Sequence, residues 1–202
     1  MYLMRLLSYE DRPLVDALLT ARTAWAQQQD HPHHGHSLAL LSMLADGHDT
    51  SQIIGMEEDG DLVGVFILAV REAAFVGWSA MERQEEALSV TLAITHPAEH
   101  GQRLARLGSV WLADYIARLP SPPRWVRGTV TDSAVALYLQ GVCGWQLDRF
   151  SRDPDGRRAY RLQLPAQATP DLYHLVATSA DLAAPLADPA PAVPARAALL
   201  PR

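Results

Sequence analysis

The sequence predicts a mixed α/β domain, because apolar runs of strand length alternate with segments whose apolar residues recur at helical spacing. Two apolar runs flank the stretch EEDGD and predict a hairpin, since Asp59 and Gly60 favour a tight turn. The strongest helical stripe begins after Gly101 and carries Leu104, Leu107, Trp111 and Tyr115. The predicted order is a strand, two helices, three strands, a helix, a strand, a helix and two strands.

The first half of the chain is predicted to hold a strand over 1–8, a helix over 9–29, a short helix over 37–44, the hairpin over 51–70, and a loop with one helical turn over 71–86. Asp11 and Pro13 suit the first turn of the long helix, where backbone N–H groups lack helical partners. Ser37 is placed to cap the short helix.

The second half is predicted to hold a strand over 87–95, the best helix over 101–119, a strand over 125–130, a short helix over 133–139, and strands over 144–150 and 157–164. The sequence PSPP ends the best helix, because proline lacks the backbone donor that a helix needs. The sequence DPDG predicts a turn between the last two strands.

The composition changes at about Pro165. The last 37 residues hold 6 of the 14 prolines and 12 alanines, with few large apolar side chains. Such a segment has little apolar surface to bury against a core. We therefore expect a folded domain over 1–164 and a mobile C-terminal tail over 165–202.

The composition also argues against several classes of protein. The formal net charge of −6 argues against a nucleic-acid partner. No apolar run approaches the roughly 20 residues of a membrane span, and the N-terminus lacks the apolar core of a signal peptide. The single cysteine, Cys143, suits a reducing compartment. All 17 basic residues are arginines, a bias typical of GC-rich bacterial genomes. We expect a cytoplasmic protein with no membrane partner.

The stretch ITHPAEHGQRLARLG, residues 94–108, joins a strand to a helix through Gly101. A helix N-terminus presents unpaired N–H groups, and a glycine there lets phosphate oxygens approach the backbone. Arg103 and Arg106 are placed to add charge-assisted contacts. The alternative is an ordinary strand-to-helix turn with solvated arginines.

This stretch resembles the acetyl-CoA motif of the GNAT N-acetyltransferases. In that family an apolar strand, His-Pro and two variable residues precede Arg/Gln-Gly-x-Gly-x-Gly/Ala at the start of a long helix. The corresponding positions are His96, Pro97, Ala98, Glu99, His100, Gly101, Gln102, Arg103, Leu104 and Ala105. His100 replaces the usual Arg or Gln, and Arg103 replaces the central glycine. The Arg103 side chain either crowds a bound pyrophosphate or points away and pairs with a phosphate.

A second stretch, TDSAVALY followed by GW, resembles the family's short helix Asn-x-x-Ala-x-x-Leu-Tyr and the Gly-Phe that opens its next strand. The matching residues are Thr131, Ala134, Leu137, Tyr138, Gly144 and Trp145. Thr131 stands where asparagine is usual, and the segment between Tyr138 and Gly144 is two residues longer than the common spacing. The resemblance covers residues 1–164 and is greatest to actinobacterial members of unassigned substrate.

The resemblance implies a GNAT fold: a mixed, mostly antiparallel sheet with splayed central strands, flanked by helices. Acetyl-CoA would be the co-substrate, with no metal required. The cofactor contacts implied are Ile94, Thr95, His100, Gly101, Gln102, Arg103, Leu104, Ala105, Arg106 and Thr131. Tyr138 would be the general acid for the leaving thiolate.

The general base and the acceptor are less defined. Glu85 and Glu86 precede the splayed strand and are candidates for the base; the alternative is a solvated pair of charges. The acceptor would be a primary amine of a small molecule or a peptide, and the sequence is compatible with a homodimer. The rival interpretation is a GNAT-fold module that binds an acyl-CoA or a protein without turnover.

Two further features have competing interpretations. His31, His33, His34 and His36 lie within six positions, but their spacing is not that of a closed zinc site, so a polar loop is favoured over a metal site. The loop between the first two helices borders the acceptor pocket in the family, so these histidines are placed to touch substrate. Cys143 is interpreted as a packed residue near a turn rather than a reactive thiol.

Overall fold

The computed structural model describes residues 1–29, 36–46, 51–69, 78–97, 101–152 and 156–183. Eight strands form one sheet: β1 Tyr2–Leu6, β2 Ser51–Glu58, β3 Asp61–Ala69, β4 Ala87–Thr95, β5 Trp125–Val130, β6 Gln146–Arg152, β7 Arg158–Pro165 and β8 Val176–Thr178. Their order across the sheet is β6-β7-β5-β4-β3-β2-β1-β8. Neighbouring strands are antiparallel except for the pairs β4–β5 and β1–β8, which are parallel.

Within the described residues, six α-helices accompany the sheet: α1 Arg12–Gln28, α2 His36–Asp46, α3 Ala80–Arg83, α4 Gly101–Ala117, α5 Ser133–Val142 and α6 Ala180–Ala183. The predicted α/β class and the order of the elements through residue 164 are confirmed. The ranges 87–95 and 125–130 were predicted without error, whereas α5 is three residues longer than predicted. None of the helices in the described part of the chain has the length and apolar character needed to cross a lipid bilayer.

The helices cover both faces of the sheet, because successive side chains of a strand point to opposite faces. On β3, Val65 and Ile67 pack in one apolar cluster with residues of α1 and α2, including Val15 and Leu40. The intervening side chains of β3 pack in a second, larger cluster with α4, the turn after α5, β5 and β7. The hairpin prediction is also confirmed, since Asp59 and Gly60 connect β2 to β3 with positive φ angles of 54° and 95°.

Residues 166–183 are folded, so the predicted tail is wrong over this range. Leu172, Val176 and Leu182 are 5%, 3% and 0% exposed and belong to the larger core cluster. β8 extends the sheet by pairing with β1, and Thr178 Oγ1 accepts a hydrogen bond of 3.0 Å from the indole of Trp111. The segment is held against the core by the burial of these three apolar side chains and by the pairing of β8 with β1. The remaining residues of the predicted tail, 184–202, lie outside the described part of the chain.

The short helix α3 is held on the sheet by two guanidinium groups that lie over the ring of Trp78. Arg127 of β5 and Arg149 of β6 are 4.6 Å and 5.5 Å from the ring centroid. Arg149 also donates two hydrogen bonds to the Glu82 carboxylate. These bonds are the main reason that the pKa of Glu82 falls from 4.5 to about 2.

We predict that Glu82→Gln lowers the free energy of unfolding at neutral pH by about 1–3 kcal/mol. The folded-state pKa is below the unfolded value, so this stabilisation is present above about pH 4.5 and is lost as the pH falls towards 2. Urea denaturation at several pH values measures it, with Glu10→Gln on an exposed carboxylate as the control. A variant as stable as the parent at pH 7 would contradict the prediction.

Candidate active site

The two central parallel strands separate part-way along their length. Residues 87–90 of β4 pair with residues 125–128 of β5, ending at Val90 and Gly128. Both strands lie wholly within the described residues, and no pair joins them beyond this point, although β4 continues to Thr95. The sheet therefore opens into a gap between the C-terminal halves of β4 and β5.

A β-bulge lies on β4 where the gap begins. Leu92 is opposite Ile67 of β3, but the next pair joins Val90 to Leu68, so Thr91 is an extra residue on β4. A bulge bends its strand and increases the local twist. The bulge therefore accounts for the departure of β4 from β5 immediately after Val90.

The register of β3 and β4 determines which backbone groups face the gap. The His96 N–H donates a hydrogen bond of 2.8 Å to the Val63 carbonyl, so these residues form a hydrogen-bonded pair. Because such pairs alternate along an antiparallel ladder, Val65 and Ile94 form the next one. Consistent with this, the Ile94 carbonyl oxygen would lie 3.6 Å from a Cβ placed on Gly64, the β3 residue beside it.

The residues on either side of Ile94 direct their N–H and C=O groups away from β3. Ala93 and Thr95 occupy the non-hydrogen-bonded positions of the β3–β4 ladder. Their backbone groups therefore point into the gap, where an extended ligand can pair with them as a strand would. Of the two predicted backbone contacts, Thr95 directs its N–H and C=O groups into the gap, whereas Ile94 directs its groups towards β3. The sequence did not predict that the backbone groups of Ala93 also point into the gap.

Two helix N-termini flank the open end of the gap, because α4 follows β4 and α5 follows β5 at the C-terminal ends of parallel strands. Asp132 caps α5, and its carboxylate accepts hydrogen bonds of 2.7 Å and 3.2 Å from the N–H groups of Ala134 and Val135. The start of α5 is thus satisfied by the protein itself. Thr131, which was predicted to contact the cofactor, is exposed and immediately precedes Asp132.

The two arginines of α4 are three residues apart, so they are neighbours on the helix surface, but their charges act on different groups. The charge of Arg106 acts on Tyr138 and Cys143, where it opposes the rise in pKa that burial causes in both groups. Arg103 acts in the same way on Tyr2 of β1, on the side away from β5. The Arg103 side chain is exposed, and whether it crowds a bound pyrophosphate or pairs with a phosphate stays a prediction.

The remaining predicted contacts at the start of α4 are placed as follows. Leu104 is 3% exposed and packs in the core, so only its backbone is available to a ligand. Ala105 is half-buried, and its carbonyl accepts a hydrogen bond of 2.9 Å from the hydroxyl of Ser109. Gly101 and Gln102 form the first turn of α4. His100 lies outside the described residues, as do His31, His33 and His34 of the predicted polar loop.

Tyr138 lies half-buried on α5, and the Cys143 side chain is close enough to affect the pKa of its hydroxyl. Burial and the neighbouring Cys143 raise the pKa of Tyr138 to about 12, against the opposing effect of Arg106. The hydroxyl is therefore protonated near neutral pH. It can donate a hydrogen bond but cannot act as a base.

Trp145 connects this tyrosine region to the point where the strands separate. Its indole N–H donates a hydrogen bond of 3.0 Å to the Ser109 hydroxyl of α4. A Cβ on Gly128, the last β5 residue that pairs with β4, would lie 3.4 Å from the Trp145 ring. The turn after α5 is thus packed directly beneath the start of the gap.

The fold of the chain is similar to that of solved acetyltransferase structures. The chain aligns over 81% of its length with 94% of a GNAT-family acetyltransferase from Listeria monocytogenes, at a TM-score of 0.58 and 18% identity. It aligns over 87% of its length with 98% of the aminoglycoside acetyltransferase AAC(6')-Ib in complex with coenzyme A and kanamycin, at a TM-score of 0.59 and 15% identity. The chain has the GNAT fold. No protein-family model and no curated protein sequence matches it.

Within the GNAT fold of this chain, the two carboxylates predicted as the base lie at the closed end of the β4–β5 pair. Glu85 forms an ion pair with Arg127, whose side chain is buried. Glu86 is exposed, and strand geometry places it about 13 Å from Val90 along β4. Their assignment as the general base stays a prediction, and it requires the acceptor amine to reach that end.

Sequence reasoning missed the polar partners around Tyr138. Cys143 was interpreted as a packed residue, and its 4% exposure confirms this. Its side chain, however, also interacts with Ser109 and with the tyrosine hydroxyl. Burial raises the pKa of the Cys143 thiol, so the group is protonated and unreactive near neutral pH. Ser109, four residues after Ala105 on α4, gave no signal in the sequence beyond that helical spacing.

Proposed function

We propose that this protein is an acetyl-CoA-dependent N-acetyltransferase that acetylates a primary amine of a small molecule or peptide. The observation that carries the proposal is the gap between β4 and β5, lined by the free backbone groups of Ala93 and Thr95 and flanked by Arg106 and the Tyr138 hydroxyl. The complex of AAC(6')-Ib with coenzyme A and kanamycin, a protein of the same fold, supports both the co-substrate and an amine acceptor.

The residues fit the parts of coenzyme A in order. Ala93 and Thr95 offer N–H and C=O groups to the amides of an extended pantetheine arm. The first turn of α4 offers N–H groups to the pyrophosphate, since a helix N-terminus favours bound anions. Arg106 supplies positive charge on the same side of α4 as the gap.

In the proposed reaction, the acceptor ammonium first loses a proton to a general base or to water, and the neutral amine nitrogen bonds to the thioester carbonyl carbon. The C–S bond then breaks, the sulfur leaves as a thiolate, and the second proton of the nitrogen passes to solvent, from which the free thiolate is protonated. Tyr138 donates a hydrogen bond to that sulfur as negative charge develops. Its pKa of about 12 exceeds the roughly 8.5 of an ordinary thiol, so complete proton transfer to the thiolate is unfavourable. The tyrosine therefore stabilises the leaving group mainly by hydrogen bonding. Cys143 forms no acyl intermediate, because its buried thiol is protonated.

A non-catalytic acyl-CoA-binding module is the second candidate. It is favoured by the ion pair that engages Glu85 with Arg127, because this pair removes one of the two predicted bases. Thiol release from acetyl-CoA in the presence of a panel of primary amines separates the two functions. Amine-dependent release supports the transferase, whereas binding of coenzyme A without release by any amine supports the module.

The cellular setting is part of the proposal. We infer a cytoplasmic, bacterial enzyme that is most similar to actinobacterial members of the family. The arginine-only basic composition and the single cysteine support this setting.

We predict that Arg106→Gln weakens binding of coenzyme A about tenfold, since one charge-assisted contact contributes about 1.4 kcal/mol. Arg103→Gln is the matched control, because it removes the same charge from the arginine of α4 that acts on Tyr2 rather than on Tyr138. Isothermal titration calorimetry measures both variants. The control is expected to bind within about twofold of the parent. A larger loss for Arg103→Gln than for Arg106→Gln would contradict the assignment of the two side chains.

A further inference from the structure

Thr129 is the first β5 residue beyond the point where β4 and β5 separate, since their last pair joins Val90 to Gly128. A Cβ on Gly128 would lie 3.4 Å from the Trp145 ring, which packs on the α4 side of the sheet. Side chains alternate along a strand, so Thr129 points to the other face, which α1 and α2 cover over β3. Thr129 is exposed. Its hydroxyl therefore lies at the edge of the gap, where a ligand can reach it.

On this face the two sides of the gap differ in polarity. Leu92 and Ile94 of β4 are partly buried and pack against the apolar cluster of α1 and α2. Across the gap, Thr129 of β5 is paired with Arg161 of β7, so the two side chains are neighbours on one face. A ligand that enters from this face therefore meets apolar side chains on one side and a hydroxyl on the other.

Arg161 determines what the Thr129 hydroxyl can do. Its guanidinium is 95% buried by the 5% exposure of the residue, and it donates hydrogen bonds to Thr129 Oγ1 and, at 2.9 Å, to Ser151 Oγ. A guanidinium has donors only, so the threonine oxygen is the acceptor and its own proton points elsewhere. Within the described residues, the Thr129 O–H donates to no other group. It is therefore available to donate to a ligand.

We infer that Thr129 recognises the acceptor by donating a hydrogen bond to a carbonyl or carboxylate oxygen carried near the amine. Arg161 is the positioning residue for this hydroxyl. The inference rests on the proposed function and names the class of its acceptor: amines with an adjacent carbonyl group, as in amino acids and their amides. Tyr138 packs with the core cluster on the opposite face of the sheet. The acceptor and the leaving sulfur therefore contact the protein on opposite sides of the gap.

The test uses three amines of similar size: free glycine, glycinamide and ethylamine. Each is titrated, in the presence of coenzyme A, into the parent, Thr129→Val and Thr129→Ser, and ligand-observed NMR gives the Kd. Comparing one amine across the variants cancels differences in basicity between the amines. Thr20→Val is the control, because Thr20 is an exposed threonine of α1 that bonds only within its helix, to the Asp16 carbonyl. Melting curves confirm that each variant is folded.

We expect Thr129→Val to weaken binding of glycinamide about fivefold and of glycine about twentyfold, because a hydrogen bond to a charged acceptor is the stronger one. Ethylamine has no oxygen, so its Kd should change less than about twofold. Thr129→Ser keeps the donor and should bind all three amines within about twofold of the parent. Thr20→Val should match the parent.

Four results would overturn the inference. Equal losses for all three amines would show that the substitution changes the shape of the gap. Unchanged Kd values for glycine and glycinamide in Thr129→Val would show that the hydroxyl does not bind them, and failure of Thr129→Ser to restore binding would exclude the donor. Absence of binding of both oxygen-bearing amines to the parent would exclude the acceptor class.

The titration needs no turnover, so it is decided separately from the proposed function. Selective loss of glycine and glycinamide binding, in a protein that releases no thiol with any amine, would refute only the transferase. Amine-dependent thiol release by the parent, with equal losses for the three amines in Thr129→Val, would refute only the inference.

Discussion

Ending the chain after Pro165 is expected to unfold the protein or to lower its melting temperature by more than about 10 °C. The truncation removes Leu172, Val176 and Leu182, which are nearly fully buried. Burial of three such side chains contributes about 5–9 kcal/mol, which is comparable to the whole stability of a typical domain. It also removes β8 and so exposes the edge of β1. Thermal denaturation followed by circular dichroism measures the effect.

A chain that ends after Ala183 is the matched control. It keeps every described contact of the C-terminal segment. The Pro/Ala-rich composition of residues 184–202 predicts that they contribute little to the stability of the fold. We expect its melting temperature to stay within about 2 °C of the full chain. Equal melting temperatures for the two truncations would show that the C-terminal segment does not stabilise the sheet.

Tyr138→Phe is expected to lower kcat roughly a hundredfold, because the ring and its packing remain while the hydrogen-bond donor to the leaving sulfur is lost. Affinity for coenzyme A is expected to stay close to that of the parent, since backbone groups of Ala93, Thr95 and α4 hold most of the molecule. Steady-state kinetics with the best acceptor, together with calorimetry of coenzyme A binding, measure the two quantities.

Tyr173→Phe serves as the control for this change, because Tyr173 is 64% exposed in the C-terminal segment and the substitution is chemically identical. Its kinetics should match those of the parent. Normal turnover by Tyr138→Phe would mean that water or another group assists the thiolate. A collapse of coenzyme A affinity would mean that the hydroxyl organises the pocket rather than the chemistry.

Most of the fold could be predicted from the sequence, because long periodic segments such as 101–119 and turn signals such as Asp59-Gly60 are local properties of the chain. β8 could not be predicted, because it has only three residues within a segment rich in proline and alanine. Its pairing depends on an open edge at β1 and on a core that accepts Leu172 and Leu182. Neither condition can be read from the segment itself.

The candidate site could be predicted in outline, at the start of α4 and at Tyr138, where residue types recur at fixed spacing. The direction of individual groups could not. Whether Ile94 or Thr95 faces the gap depends on the β3–β4 register. The contact between Tyr138 and Cys143 depends on the extra turn that extends α5 to Val142, beyond its predicted end.

A crystal structure of the protein with coenzyme A would show whether the gap is the cofactor site. We predict that the pantetheine amides pair with the backbone of Ala93 and Thr95 in the gap between β4 and β5. We also predict the pyrophosphate at the first turn of α4, within reach of Arg106 and away from Arg103. Coenzyme A bound elsewhere, or a pyrophosphate held by Arg103 with the gap empty, would contradict this prediction.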